Sequence, residues 1–159
     1  MPVRTAAGTK IYIGPDVLET VDTVEELSAL VFTEIKGVTT TPEVGDESAS
    51  VTSTDLGSAR VRKGKGARDA GSATLTVNND PIDPGQQALV AAEKTNLVYA
   101  FKIVYPDRPN ASGTDTEEYF RAIVRGKRRT GGDVNSVLQR TFNVDIDSEV
   151  FEKPATAGV

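Results

Sequence analysis

The chain contains no cysteine and no histidine. Without cysteine there is no disulfide framework, no thiol nucleophile and no thiolate metal site. Without histidine, the usual acid–base group at neutral pH and the commonest metal ligand are both missing. Any catalytic scheme would rest on Asp, Glu, Lys, Tyr or Ser alone. Tryptophan is also absent, and aromatic residues make up only 6% of the chain, which leaves few rings on which sugars or bases can stack. No apolar run reaches about 18 residues, so no membrane-spanning helix is expected. The opening, MPVRTAAGTK, lacks the apolar stretch of a secretory signal. We therefore expect no enzyme, no catalytic residues, no metal and no cofactor.

What is present fits one domain over residues 1–159. The 14 glycines and 8 prolines suit a loop-rich β protein. A net charge of −5 argues against general nucleic-acid binding, but the charges are clustered, so patches matter more than the total. The most unusual stretch is TPEVGDESASVTSTDLGSARVRKGKGARDAGSATLTVNND, Thr41–Asp80. It opens with acids (Glu43, Asp46, Glu47, Asp55), becomes basic (Arg60, Arg62, Lys63, Lys65, Arg68) and passes Asp69 into an alternating strand. A loop longer than about 12–15 residues is uncommon in a compact domain and usually means function or disorder. Residues 41–71 thus read as a long, mobile, two-signed arm, within which 49–54 can form a strand or edge ribbon.

The basic cluster is not a phosphate-binding loop. The preceding glycine is misplaced, and Gly66 stands where Ser or Thr is needed. No aromatics interleave with it, which disfavours a nucleic-acid surface. Two readings remain, a solvated loop and a contact with an acidic surface of another subunit, and opposite signs within the arm favour the second. A second basic run, Arg125, Lys127, Arg128 and Arg129, reads as a charged strand end that discourages edge pairing. Asp145 and Asp147 share one strand face, but nothing around them suggests a pocket, so they read as solvated acids.

Elsewhere, GTKIYIG at 8–14 alternates as a first short strand. Thr23-Val24-Glu25-Glu26 has capping-box spacing and predicts a helical turn over 24–29. Residues 31–41 predict a strand broken at Gly37. Residues 72–78 are the cleanest alternation in the chain, with Ala73, Leu75 and Val77 on one face. Asp83 as N-cap, Pro84 at the first helical position and Gln86 two residues on predict a helix to about Lys94. Strands are predicted over 97–105, 116–125 and 136–147. In the last, Leu138, Phe142, Val144 and Ile146 point inward with Arg140 interrupting, and Gln139, Thr141, Asn143, Asp145 and Asp147 point out. A turn falls at Gly131-Gly132, and residues 148–159 read as a loose tail. Six or so strands and one substantial helix make the class mostly β, or α+β.

The succession GTKIYIG, DTVEELSALVFTEIKGV, PEVGDE, DLGSARVRKGKGARDAGSATLTV, NDPIDPGQQAL and GGDVNSVLQRTFNVDID resembles the tail tube proteins of long, flexible-tailed bacteriophages and of gene transfer agents. Its most specific part is GARDAGSATLTV followed by the DPIDPGQ helix start. The resemblance implies a sandwich- or barrel-like β protomer with one flanking helix and a long extended loop. It further implies six-membered rings with a continuous inner β-barrel, stacked into a hollow virion tail tube after synthesis in the host cytoplasm. The implied partners are further copies of the chain, a tape-measure protein, and tail terminator or distal tail proteins. DNA would pass through the lumen without specific binding, and no membrane is involved. The arm residues Glu43, Asp46, Glu47, Asp55, Arg60, Arg62, Lys63, Lys65, Arg68 and Asp69 would then bridge rings. The polar faces Thr74, Thr76, Asn78 and Gln139, Thr141, Asn143, Asp145, Asp147 would line the bore.

Three physical arguments agree with this. A duct for DNA is best polar and not strongly positive, since cations would hold phosphates. Open strand edges are a liability that ring closure removes. About 24 strands, four from each of six copies, at roughly 4.8 Å spacing and about 40° tilt enclose a diameter of roughly 48 Å between backbones. The alternatives are the tube of a contractile-injection or type VI-like system, and a monomeric β-sandwich binding module.

Overall fold

The structure, a computed structural model, describes residues 2–159. In chain order it contains β1 (Lys10–Asp16), α1 (Val24–Ser28), β2 (Thr33–Ile35), β3 (Val38–Thr40), β4 (Glu47–Thr54), β5 (Val61–Asp69), β6 (Ser72–Asn78), α2 (Pro84–Glu93), β7 (Tyr99–Tyr105), β8 (Thr116–Thr130), β9 (Gln139–Ile146) and β10 (Phe151–Lys153). The main antiparallel sheet runs β2-β1-β7-β8-β9-β6-β3, with β10 added to the free side of β8. β4 and β5 form a separate two-stranded ribbon.

β2 and β3 lie at opposite margins of the main sheet, yet only Lys36 and Gly37 separate them in the chain. The sheet must therefore curl until its margins nearly meet. β2 and β3 are not laddered to one another, so the roll is not a closed barrel. Gly37 makes the crossing possible. Its φ is +78°, which side chains with a Cβ rarely adopt, and a Cβ there would stand 3.0 Å from the Asn78 carbonyl oxygen.

The inner face of the roll is the core. Period-two alternation brings Ile11, Ile13, Ile35, Leu75, Val77, Phe101, Ile103, Phe120, Val124, Phe142 and Val144 together. Phe101 and Phe120 are cross-strand partners and stack with ring centroids 5.5 Å apart. α2 packs its narrow stripe, Leu89 and Ala92, into the same cluster. On the outer face α1 buries Leu27 with Ala100 and Tyr119. Thr23 caps α1, its Oγ1 accepting from the Glu26 amide at 3.2 Å. The return bond of the box is shifted by one residue, since the Glu26 carboxylate accepts from the Asp22 amide instead.

Four expectations change. Residues 41–71 are not an irregular arm, because residues 47–69 pair along almost their whole length as β4 and β5. Residues 148–159 are not a loose tail. β8 is 15 residues long, and β9 covers only its C-terminal part, so β10 pairs with Glu117–Tyr119 and Thr156 bridges to Thr114. The Arg125–Arg129 run does occupy the C-terminal end of β8, but that strand continues to Thr130 and is paired there with β9 instead of presenting a free edge. Finally, β9 starts at Gln139, which leaves Leu138 outside the strand and exposed.

Candidate functional site

The polar side chains of β6 and β9 face one another as direct cross-strand partners: Ser72 with Asp145, Thr74 with Asn143, Thr76 with Thr141 and Asn78 with Gln139. Three of these pairs are hydrogen-bonded. Ser72 Oγ donates to Asp145 Oδ1 at 2.6 Å, Thr74 Oγ1 to Asn143 Oδ1 at 3.3 Å, and Gln139 Nε2 to Asn78 Oδ1 at 3.3 Å. Seven of the eight polar positions singled out from the sequence thus form one continuous surface, whose reverse side is the buried row Ala73, Leu75, Val77, Phe142 and Val144. Asp147 is the exception. It lies past the end of β9, and its amide donates to the Arg121 carbonyl.

β8 extends this surface in a way its alternation conceals. A bulge between Val124 and Gly126 shifts the phase, so Arg128 comes opposite Thr141 and joins the polar face, while Lys127 comes opposite Phe142. Lys127 then reaches Glu93 of α2 at 3.2 Å. Arg125, at the bulge, holds Asp145 at 2.9 Å. The face therefore carries a neutralised ion pair and one further cation. Arg128 was missed from the sequence because no residue pattern marks the bulge.

The second surface is the ribbon. Every residue from Ala49 to Lys65 is exposed. Its root is tied down: Asp46 accepts from Arg68 at 3.2 Å and from the Val150 amide at 3.2 Å, and Arg68 also approaches Glu149 at 3.9 Å. Glu47 and Asp69 are cross-strand partners there, and Glu43 is exposed just before. At the tip, Asp55 Oδ1 accepts from the Ser58 amide at 2.7 Å. Between root and tip the chemistry is one-signed. Arg62, Lys63 and Lys65 stand opposite Ser53, Thr52 and Ser50, and Arg60 leads into β5. Among the described residues these four cations form no ion pair.

The seam between the sheet margins is held by the first turn of α2. Asp83 Oδ2 accepts from the Gln86 amide and, at the same 3.1 Å, from the amide of Lys36. Gln86 Nε2 donates to the carbonyls of Lys36 and Asn78, both at 2.9 Å, and its Oε1 accepts from the Asp80 amide at 3.0 Å. Gly85 lets the helix approach this closely, since a Cβ there would collide with the Glu34 carbonyl oxygen.

Beside the β8–β10 ladder, Tyr105 Oη donates to Glu118 Oε2 at 2.9 Å, and Glu152 is the cross-strand partner of Glu118. Burial raises the Glu118 carboxyl above its ordinary value against the lowering effect of the tyrosine bond, and the Glu152 charge raises it further. Burial, then the neighbouring Glu117, likewise raises the Tyr119 hydroxyl.

No family model matches the chain, and no curated protein matches it in sequence. Solved structures share its fold. A chain of the anti-feeding prophage baseplate, symmetrised sixfold, superposes with a TM-score of 0.67 at 10% identity over 97% of both chains. The SPP1 tail tube superposes at 0.63 with 15% identity, over 92% of this chain and 76% of the other. A chain of the sheath–tube complex of an extracellular contractile injection system, PVC, also gives 0.63, at 9% identity over 96% and 92%. The fold is thus one also found in the SPP1 tail tube and in chains of contractile-injection particles.

Proposed function

We propose that this chain is the structural subunit of a hollow tube, the tail tube of a long-tailed phage or gene transfer agent. Six copies close into a ring, rings stack, and DNA passes from capsid to host through the bore. The single observation that carries this is the continuous polar surface of β6 and β9, backed by the core and unbroken by any apolar side chain. A polar outward face suits any solvated antiparallel sheet, and it also meets what a DNA duct requires, a lining that is polar and not strongly positive. β3, β6, β9 and the C-terminal half of β8 supply the four strands per copy that a ring of six requires. The ribbon stands clear of this sheet and bridges to the next ring. A tape-measure protein would occupy the bore during assembly, and terminator and distal proteins would cap the ends. The subunit performs no catalysis.

A second reading, the inner tube of a contractile system, is supported to the same degree by fold, since the TM-scores to the SPP1 tail tube and the PVC sheath–tube complex are equal. Negative-stain microscopy of the concentrated protein tests the tube itself. Six-membered rings or stacked tubes are expected, and a species that stays monomeric at every concentration would overturn the proposal. Co-expression with a sheath protein separates the two readings, because only a contractile tube nucleates sheath on its outer wall.

A further inference from the structure

The ribbon lacks what a two-stranded ribbon needs. An isolated hairpin is marginal in water unless a further strand or an apolar surface covers it, and β4–β5 is exposed along both strands. It also concentrates charge: Leu56–Arg68 contains five basic residues and no acid. Two of the arm's own acids are already engaged, Asp46 by Arg68 and the Val150 amide and Asp55 at the tip.

The complementary feature lies at the other end of the sequence. Ile11–Ile35 contains six acids and no basic residue. Five of them, from Asp16 to Glu26, surround α1 and are exposed, and among the described residues none forms an ion pair. Elsewhere six of the 17 acids are ion-paired, among them Asp115 with Arg108, Glu93 with Lys127 and Asp145 with Arg125. Apolar side chains match as well. Leu18 and Val31 flank α1 at 75% and 85% exposure, and Val61 and Leu56 on the ribbon are 53% and 106% exposed.

We propose that the β4–β5 ribbon of one copy docks on the acidic α1 surface of a second copy. This rests on the tube reading and names the surface that receives the ribbon. A nine-residue strand spans roughly 30 Å, so the ribbon can reach a neighbouring copy well away from the sheet it leaves. Opposite charges set register and speed encounter, and the apolar side chains between them are removed from water on docking.

A charge swap tests it. Lys63→Glu with Lys65→Glu reverses the ribbon, and Glu19→Lys with Glu25→Lys reverses the α1 surface. All four side chains are exposed, so circular dichroism of each variant is expected to match wild type. Each reversal alone is expected to reduce the sedimentable tube fraction by about tenfold or more, as like charges meet across the contact. The chain carrying all four substitutions is expected to recover it. In wild-type tubes, zero-length carbodiimide coupling is expected to join peptides containing Lys63 or Lys65 to peptides containing Glu19 or Glu25 of another copy. If wild type forms tubes but the fourfold variant is no better than either reversal and no such cross-link forms, the docking proposal fails and the tube reading stands. If wild type itself stays dispersed, both fail.

Discussion

At the scale of single residues, the fold depends on a contact between chain segments far apart in sequence. Gln86 satisfies two carbonyls and one amide at the seam where β2 passes into β3, all from a buried position. Replacing it by Leu leaves three backbone groups without their partner, each costing about 1–3 kcal/mol when buried. Gln86→Leu is therefore expected to lower stability by at least about 2 kcal/mol in urea denaturation, and an unchanged midpoint would show that water replaces the side chain at no cost. Gly85→Ala is expected to cost about 1–3 kcal/mol, because the atoms it meets are backbone atoms of Glu34 and Ile35 that cannot rotate away. The sequence announced this helix start through Asp83, Pro84 and Gln86. It did not announce that the same side chains clasp Lys36, since nothing local records a partner 50 positions away.

At the scale of elements, alternation read the strands well where both neighbours are regular and poorly where pairing is long-range. β6 is found over the residues its alternation predicts, Ser72–Asn78. β10 escaped because a three-residue strand has no period of its own and exists only where β9 leaves β8 uncovered. That strand carries a pH signature. The folded Glu118 carboxyl is raised by burial and by Glu152, so the folded chain binds its proton more tightly than the unfolded chain does. Its contribution is full below the ordinary carboxyl range and is lost as pH rises through the raised value. Glu118→Gln keeps an acceptor for Tyr105 and removes the charge. It is expected to raise stability at pH 7 and to give no gain at pH 4, as read by denaturant titrations at the two values. A gain of equal size at both would mean that packing, not charge, is responsible. The ribbon behaves oppositely. It contributes no member to the main core, so joining Ser48 to Arg68, already cross-strand partners, through a two-residue Asn-Gly turn is expected to leave the thermal midpoint within a few degrees of wild type while abolishing tubes. Normal tubes from that deletion would remove the ribbon from the assembly.

At the scale of the whole molecule, the distribution of polarity across the sheet is the feature that local pattern recorded best and interpreted least. Period two told which side chains share a face, and the register of β6 against β9 shows those faces merging into one. Where that face points is a property of the assembly, which no intrachain contact encodes. The missing cysteines make the question direct, since any thiol introduced is the only one. Thr74 is exposed on the face, and its hydroxyl makes a single bond, to Asn143, so Thr74→Cys is expected to fold and assemble normally. If the face lines a bore, the thiol of the free subunit reacts with both a small maleimide and one coupled to a large polymer. The assembled tube then reacts only with the small one, which enters through the ends. Unchanged labelling of tubes by the large reagent would place β6 and β9 on the outer wall, and the polar surface would then belong to a sheath or to solvent rather than to a passing duplex.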